Sequence, residues 1–199
     1  MLPRQTRNQR MDDMNTTPLQ PLLSRPALLR GMAVISGSLL IWLAARIEAP
    51  FWPVPMTMQT LAVLALAAVL GRRLGVAAVA LYLVEGALGL PVFAGSPERG
   101  IGLAYMAGPT GGYLAGFLLA AAVVGHLAGS ARGPLRLFAV MLAGTALIYL
   151  PGVLWLSAFT GPKAAVMAGL VPFLPGDILK AAVAALAVTG LRSMPRRAR

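Results

Sequence analysis

Six apolar stretches recur along the 199-residue chain, at roughly 30–47, 57–71, 74–90, 111–129, 135–158 and 174–191, separated by segments rich in proline, glycine and arginine. Crossing the hydrocarbon core takes about 20 apolar residues, so the pattern predicts an all-α integral membrane protein with six transmembrane helices. The second and third stretches fall short alone, and their flanks must contribute. A five-helix alternative merges them as a re-entrant pair around Gly71, Arg72 and Arg73. Two adjacent arginines inside the bilayer are costly, which favours a tight turn at the membrane surface. Residues 1–29 are polar, punctuated by proline and without period, and predict a disordered basic cytoplasmic tail; 30–191 form the membrane domain and 192–199 a second basic tail. The first apolar run comes too late for a signal peptide and continues into a span.

The longest interval between apolar stretches, Gly89–Tyr113, is expected to be non-helical. Pro91 stops the preceding helix, and Pro109 with the glycines from Gly108 to Gly112 breaks the backbone before the next. Between these stops lie Phe93, Glu98, Arg99 and Tyr105. A loop this long in a compact protein is more often functional than idle.

Charge orients the pattern. Thirteen of the 17 Lys and Arg residues fall on one side of a six-helix arrangement, in the tails and the short turns at Arg72–Arg73 and Arg132–Arg136; Arg46, Arg99 and Lys163 fall on the other. Basic residues accumulate in cytoplasmic loops, which places both termini inside and the segments 48–56, 91–110 and 159–173 outside. The net charge of +11 therefore reads as membrane orientation and not as nucleic-acid binding. Hydrophobic residues at 58% and charged ones at 12% exclude an ordinary water-soluble domain. With no cysteine and one histidine, His126, thiol chemistry and a histidine-rich metal site are excluded. No GxxxxGK[ST] motif occurs, so ATP binding by this chain is not expected. Phe51, Trp52 and Trp155 near helix ends suit interfacial anchoring, and Trp52 could also cover an outer pocket.

Ionisable residues within apolar runs must face a protein interior or a watered cavity. Three residues of this kind lie in the apolar runs here: Glu85, Asp177 and Lys180. In PFLPGDILKAAVAAL, Pro175 suits a first helical turn and Asp177 the positive end of the macrodipole, while Lys180, three residues on, shares its face. The pair serves either as a neutralising ion pair or as the polar floor of an apolar cavity, the lysine taking an anionic group and the aspartate accepting from N–H donors. Glu85 either snorkels outward, pairs with Arg99 or Lys180, or lines the cavity, and pairing ranks above ligand contact. Arg99 offers a guanidinium fork suited to carboxylate, or a plain loop ion pair with Glu98. Ala33 and Gly37, four apart in the first helix, permit close helix approach.

Four motifs, VPMTMQTLAVLALAAVLG (54–71), GALGLPVFAG (86–95), GPTGGYLAGFLLA (108–120) and PFLPGDILKA (172–181), together resemble the BioY family of biotin transporters, the substrate-binding S components of energy-coupling factor (ECF) transporters. The resemblance covers roughly residues 30–190. It implies a six-helix S-component fold in the bacterial cytoplasmic membrane, binding biotin near the outer face under a lid of extracellular loops. It also implies partners, a transmembrane coupling protein and two ATPase subunits, and no cofactor. Carried over by motif, Asp177 would contact the ureido ring and Lys180 a polar group of the vitamin, such as its carboxylate; Arg99, Phe93, Tyr113 and Glu85 complete the candidate substrate site. Ala33 and Gly37 would form the coupling surface. The SPERG segment around Arg99 departs from the family's more glycine-rich loop, and the charge at Glu85 lies outside its common pattern. A fused ring with ureido N–H donors, a carbonyl and a carboxylate matches an apolar cavity holding one Asp, one Lys and an Arg. An S component for another vitamin and a membrane-embedded enzyme are the alternatives, the latter without an interpretable nucleophile and base.

Overall fold

The computed structural model describes residues 25–49 and 52–194. Its elements are α1 (Arg25–Arg46), β1 (Glu48–Ala49), β2 (Met56–Thr57), α2 (Gln59–Ala87), α3 (Gly102–Met106), α4 (Gly111–Leu127), α5 (Pro134–Thr160), α6 (Pro162–Gly169) and α7 (Leu174–Ser193). The helices within 26–46, 59–87, 134–160 and 174–193 are long and apolar enough to cross a membrane, and α4 is a shorter apolar helix.

α2 is not one rod. Gly71 adopts φ 76°, ψ 175°, outside helical space, and the chain reverses there. Gln59 Nε2 donates to Tyr82 Oη at 2.8 Å, whereas a continuous helix would hold residues 23 apart at roughly 34 Å. The two arms, residues 59–70 and 72–87, therefore run antiparallel. Glycine is required at the turn because a side chain at this positive φ is strained. The two arginines that follow stay exposed at its tip.

Both short helices correct the sequence reading. Gly89–Tyr113 contains α3, and the expected loop at 159–173 contains α6. At five and eight residues they are too short to display an apolar period. α1 begins at Arg25, inside the stretch assigned to the tail; residues 1–24 and 195–199 lie outside the described residues. Between α1 and α2 the chain forms a minimal antiparallel pair, Glu48 opposite Thr57 and Ala49 opposite Met56.

The core runs through the middle of the bundle. Ile41, Leu64, Tyr82, Val124, Met141, Ile148 and Leu156 are buried within it, whereas Leu28, Ile35, Leu150, Leu154, Leu179 and Leu186 face outward. Such an apolar exterior suits lipid, where helices associate by close packing and not by excluding water. α4 and α5 show how close. A Cβ on Gly112 would stand 2.3 Å from Pro151 O, and one on Gly116 2.7 Å from Ile148 Cα. Both obstacles are backbone and cannot swing aside. Gly116→Ala is expected to prise the two helices apart and destabilise the fold by about 1–3 kcal/mol, read as a lower Tm of the detergent-solubilised protein.

Candidate functional site

At the end of the bundle where α4 and α7 begin, a narrow cavity of about 60 Å³ lies between α2, α4, α5, α7 and the segments that connect α1 to α2 and α2 to α4. That is room for a few water molecules. Its floor comes from the first two turns of α7, where the chain's Pro175 pre-sets helical geometry and Asp177 sits at the positive end of the helix. Asp177 is 4% exposed and Lys180 9%. Their ion pair is short, Nζ to Oδ1 at 2.8 Å.

Buried charge is tolerated only when its remaining hydrogen-bonding capacity is met. Three further groups meet it here. Thr60 Oγ1 donates to Asp177 Oδ1 at 3.0 Å and Tyr149 Oη to Oδ2 at 2.6 Å, while Lys180 Nζ donates to Thr57 O at 2.6 Å. An ammonium has three donors, so one N–H of Lys180 remains for a guest, and the carboxylate keeps lone-pair capacity beside it. An acceptor and a donor thus stand side by side in an apolar chamber.

Aromatic and aliphatic groups form the walls: Leu114 and Phe117 from α4, Ile148 from α5, and Phe173 ahead of α7. Tyr113 joins them with its hydroxyl tied to Gly169 O at 2.7 Å, which orients the ring. The roof consists of Val54, Pro55 and Met56 from the β1–β2 hairpin segment, with Ala94 and Tyr105 from the long segment between α2 and α4. Phe93 is buried behind that roof, stacked on Tyr105 with ring centroids 4.7 Å apart, and Tyr105 Oη donates to Ala94 O at 2.8 Å. Burial pushes the Tyr105 phenol above its ordinary value, so it remains a donor.

The sequence-predicted residues separate accordingly. Asp177, Lys180 and Tyr113 meet in the cavity, and Phe93 supports its roof from behind. Arg99 stands outside the lining, its guanidinium 6.0 Å from the centroid of the Trp52 ring, joining the long segment to the hairpin segment. Trp52, 81% exposed, caps that junction. Glu85 lies elsewhere, in a groove beside Ile35, Leu39 and Trp42, where Ser38 Oγ of α1 donates to its carboxylate. The expected pairing with Arg99 or Lys180 gives way to this hydroxyl because α1 packs over the second arm of α2. Gly37 is also inward-facing, a Cβ there meeting Ala78 Cβ at 2.8 Å. Ala33 is half-buried on the same helix, whose outward surface carries Met32, Ile35, Leu39 and Leu43 instead.

Sequence reasoning missed Tyr149, Thr60 and Thr57, and with them Gln59, which also lines the cavity. The signal available was their polarity: two threonines and a glutamine cluster at the start of an apolar helix, and Tyr149 carries a hydroxyl into the middle of one. Arg46 was also missed as a structural element; its guanidinium donates to Pro91 O at 2.6 Å and Ser96 O at 3.2 Å, tying the end of α1 to the roof segment.

Comparison with known proteins places this architecture. A chain described as the probable biotin transporter BioY of Pyrococcus horikoshii is 41% identical over 142 residues, covering 71% of this chain and 83% of its own length. The biotin transporter BioY of Thermotoga maritima is 42% identical over 156 residues, 78% of this chain and 90% of its own. The fold matches the crystal structure, at 2.1 Å, of the S-component for biotin from an ECF-type ABC transporter, with a TM-score of 0.73 at 24% identity, over 89% of this chain and 95% of that one. Residues 15–197 match the model of the BioY family, and with apolar helices enough for several membrane crossings this multi-pass membrane protein belongs to that family.

Proposed function

We propose that the chain binds biotin in the cavity between α2, α4, α5 and α7 and acts as the substrate-binding subunit of an ECF-type transporter. The single observation that carries this reading is the Asp177–Lys180 pair, held by Thr60, Tyr149 and Thr57 O within an otherwise apolar chamber. Close relatives carrying the biotin transporter name support the choice of vitamin. It is a binding subunit and not an enzyme.

The 2.8 Å contact favours one revision of roles. Groups this close meet the same end of a ligand, not its two ends. A ureido ring presents an N–H and a carbonyl side by side, which suits Asp177 as acceptor and the free N–H of Lys180 as donor. The valerate carboxylate then points toward the roof, whose segments carry Arg99 beside Trp52 and are tied to Arg46 through Pro91 O and Ser96 O. The open volume is smaller than such a ligand needs, so entry requires the roof segments to part.

The charge pattern supports six crossings, each arm of α2 making one, with both termini at the cytoplasmic face. Short arms suit tilt or a locally thin bilayer. A transmembrane coupling protein and ATPase subunits supply the work, since the chain has no phosphate-binding loop.

Equilibrium titration of the purified protein with biotin, with lipoate and thiamine as competitors, tests the reading. Tight binding of biotin alone is expected; equal displacement by the other vitamins rejects the substrate. In the same titration Tyr149→Phe is expected to weaken binding by about 10- to 100-fold, the 1.5–3 kcal/mol of a hydrogen bond to a charged group, because Asp177 loses the donor that orients it. Unchanged affinity would remove Tyr149 from the site.

A further inference from the structure

Charge divides the molecule by its ends. Among the described residues the carboxylates Glu48, Glu85, Glu98 and Asp177 all belong to the cavity half. Arg30, Arg72, Arg73, Arg132, Arg136 and Arg192 stand at the opposite end, where helices α1 and α5 begin, α4 and α7 finish and α2 reverses. Guanidinium groups that dense repel one another, and among the described residues no carboxylate offsets them there. An anion bound at this end would relieve that repulsion.

A pocket opens among them, with a volume of about 660 Å³, between the Gly71 turn, the end of α4, the approach to α5 and the end of α7. It lies some 12 to 15 residues along α7 from the Asp177–Lys180 floor, roughly 20 Å, and is a separate site. Arg192 forms one wall and is pinned in place. Nη1 donates to Ala128 O at 3.0 Å and Ala131 O at 3.4 Å, and Nη2 to Ala68 O at 3.0 Å. A guanidinium has five N–H donors, so two remain for a guest, already oriented. Arg132 lines the same pocket and is exposed. Gly129 keeps part of the wall bare of side chains, while Gly125 lets the α2 turn pack against α4, since a Cβ there would meet Arg72 Cα at 2.7 Å. Val69 and Leu70 complete the lining on the side of α2, and Val69 is 52% exposed to the surroundings of the bundle.

We propose that this pocket binds the phosphate of an anionic phospholipid headgroup, with Arg132 and Arg192 as its direct contacts and the acyl chains lying against the apolar flank at Val69. Arginine forks match phosphate oxygens in bidentate geometry, and basic pockets between helix ends bind anionic headgroups where the helices leave the hydrocarbon core. The apolar flank selects a lipid over a free phosphate of the same charge. This inference does not depend on which vitamin fills the cavity at the other end.

The test is retention of phosphatidylglycerol against phosphatidylcholine by the full chain in neutral detergent, read by native mass spectrometry and by the rise in Tm on lipid addition. Glycerol 3-phosphate is the competing free headgroup. Phosphatidylglycerol is expected to be retained preferentially, to lose about fivefold or more in affinity in Arg132→Gln and Arg192→Lys, and to be unaffected by Arg136→Gln, which removes the same charge outside the pocket. If Arg192→Lys fails to fold, Arg132→Gln decides. Equal retention of the two lipids overturns the proposal, as does an equal loss in Arg136→Gln, which would show a diffuse field, or displacement by glycerol 3-phosphate at matched concentration, which would show a free-phosphate site.

Discussion

Lys180→Ala is expected to cut biotin affinity by at least a few hundredfold, and to cut affinity for the carboxamide of biotin by the same factor. The substitution removes the ammonium that donates to Asp177 Oδ1 at 2.8 Å and Thr57 O at 2.6 Å. It leaves a carboxylate that is 4% exposed with only two hydroxyl donors, Thr60 and Tyr149. Breaking one side of a buried ion pair costs about 3–5 kcal/mol, which corresponds to roughly 200- to 4,000-fold in a binding constant when the loss falls on the bound state. The carboxamide separates the two roles available to the lysine. If Lys180 meets the ureido end, neutralising the far end of the ligand changes nothing, and both ligands lose equally. If it meets the carboxylate, wild-type protein already binds the carboxamide poorly and the variant adds little. Isothermal titration with both ligands decides between these, and an affinity for biotin unchanged by Lys180→Ala would remove the lysine from the site altogether.

How much of this was open to a reader of the sequence depends on the range over which each feature is determined. The long helices follow from apolar run length, a local property, and so did the break at Gly71, where a glycine precedes two arginines. The shared face of Asp177 and Lys180 follows from their spacing of three on one helix. The partners of that pair do not follow from anything local. Thr60 reaches Asp177 across 117 residues and Tyr149 across 28, and only the packing of α2, α5 and α7 brings them together. Glu85 illustrates the reverse error. Its position in an apolar run marks it as needing a partner, but in place of the charged Arg99 or Lys180 the structure supplies the hydroxyl of Ser38, 47 residues earlier. Spacing of small residues in α1 was equally ambiguous: Gly37 permits close approach, yet the helix that approaches is the second arm of α2. The helices α3 and α6 stayed hidden because one or two turns between prolines and glycines leave no periodic signature.

Asp177→Asn is expected to lose biotin binding as severely as Lys180→Ala, and a double substitution then separates the stability of the pair from its use. The asparagine keeps the shape of the side chain but presents an amide N–H where Lys180, Thr60 or Tyr149 also donates, and it leaves the 9%-exposed ammonium without a counter-charge. Both the charge and at least one hydrogen bond are lost, so Tm falls with affinity, by the same order of 3–5 kcal/mol in free energy. A fall in both quantities would by itself be ambiguous, since a merely structural ion pair predicts a loss of fold. Asp177→Leu combined with Lys180→Met resolves it. Two apolar side chains of similar volume replace the pair without a buried charge, and such replacements are often neutral or stabilising. The double variant is therefore expected to regain most of the Tm lost by either single substitution while binding no biotin. Stability restored together with binding would mean that the pair only fills the floor of the cavity, and that recognition of the vitamin rests on Gln59, Tyr113 and the roof.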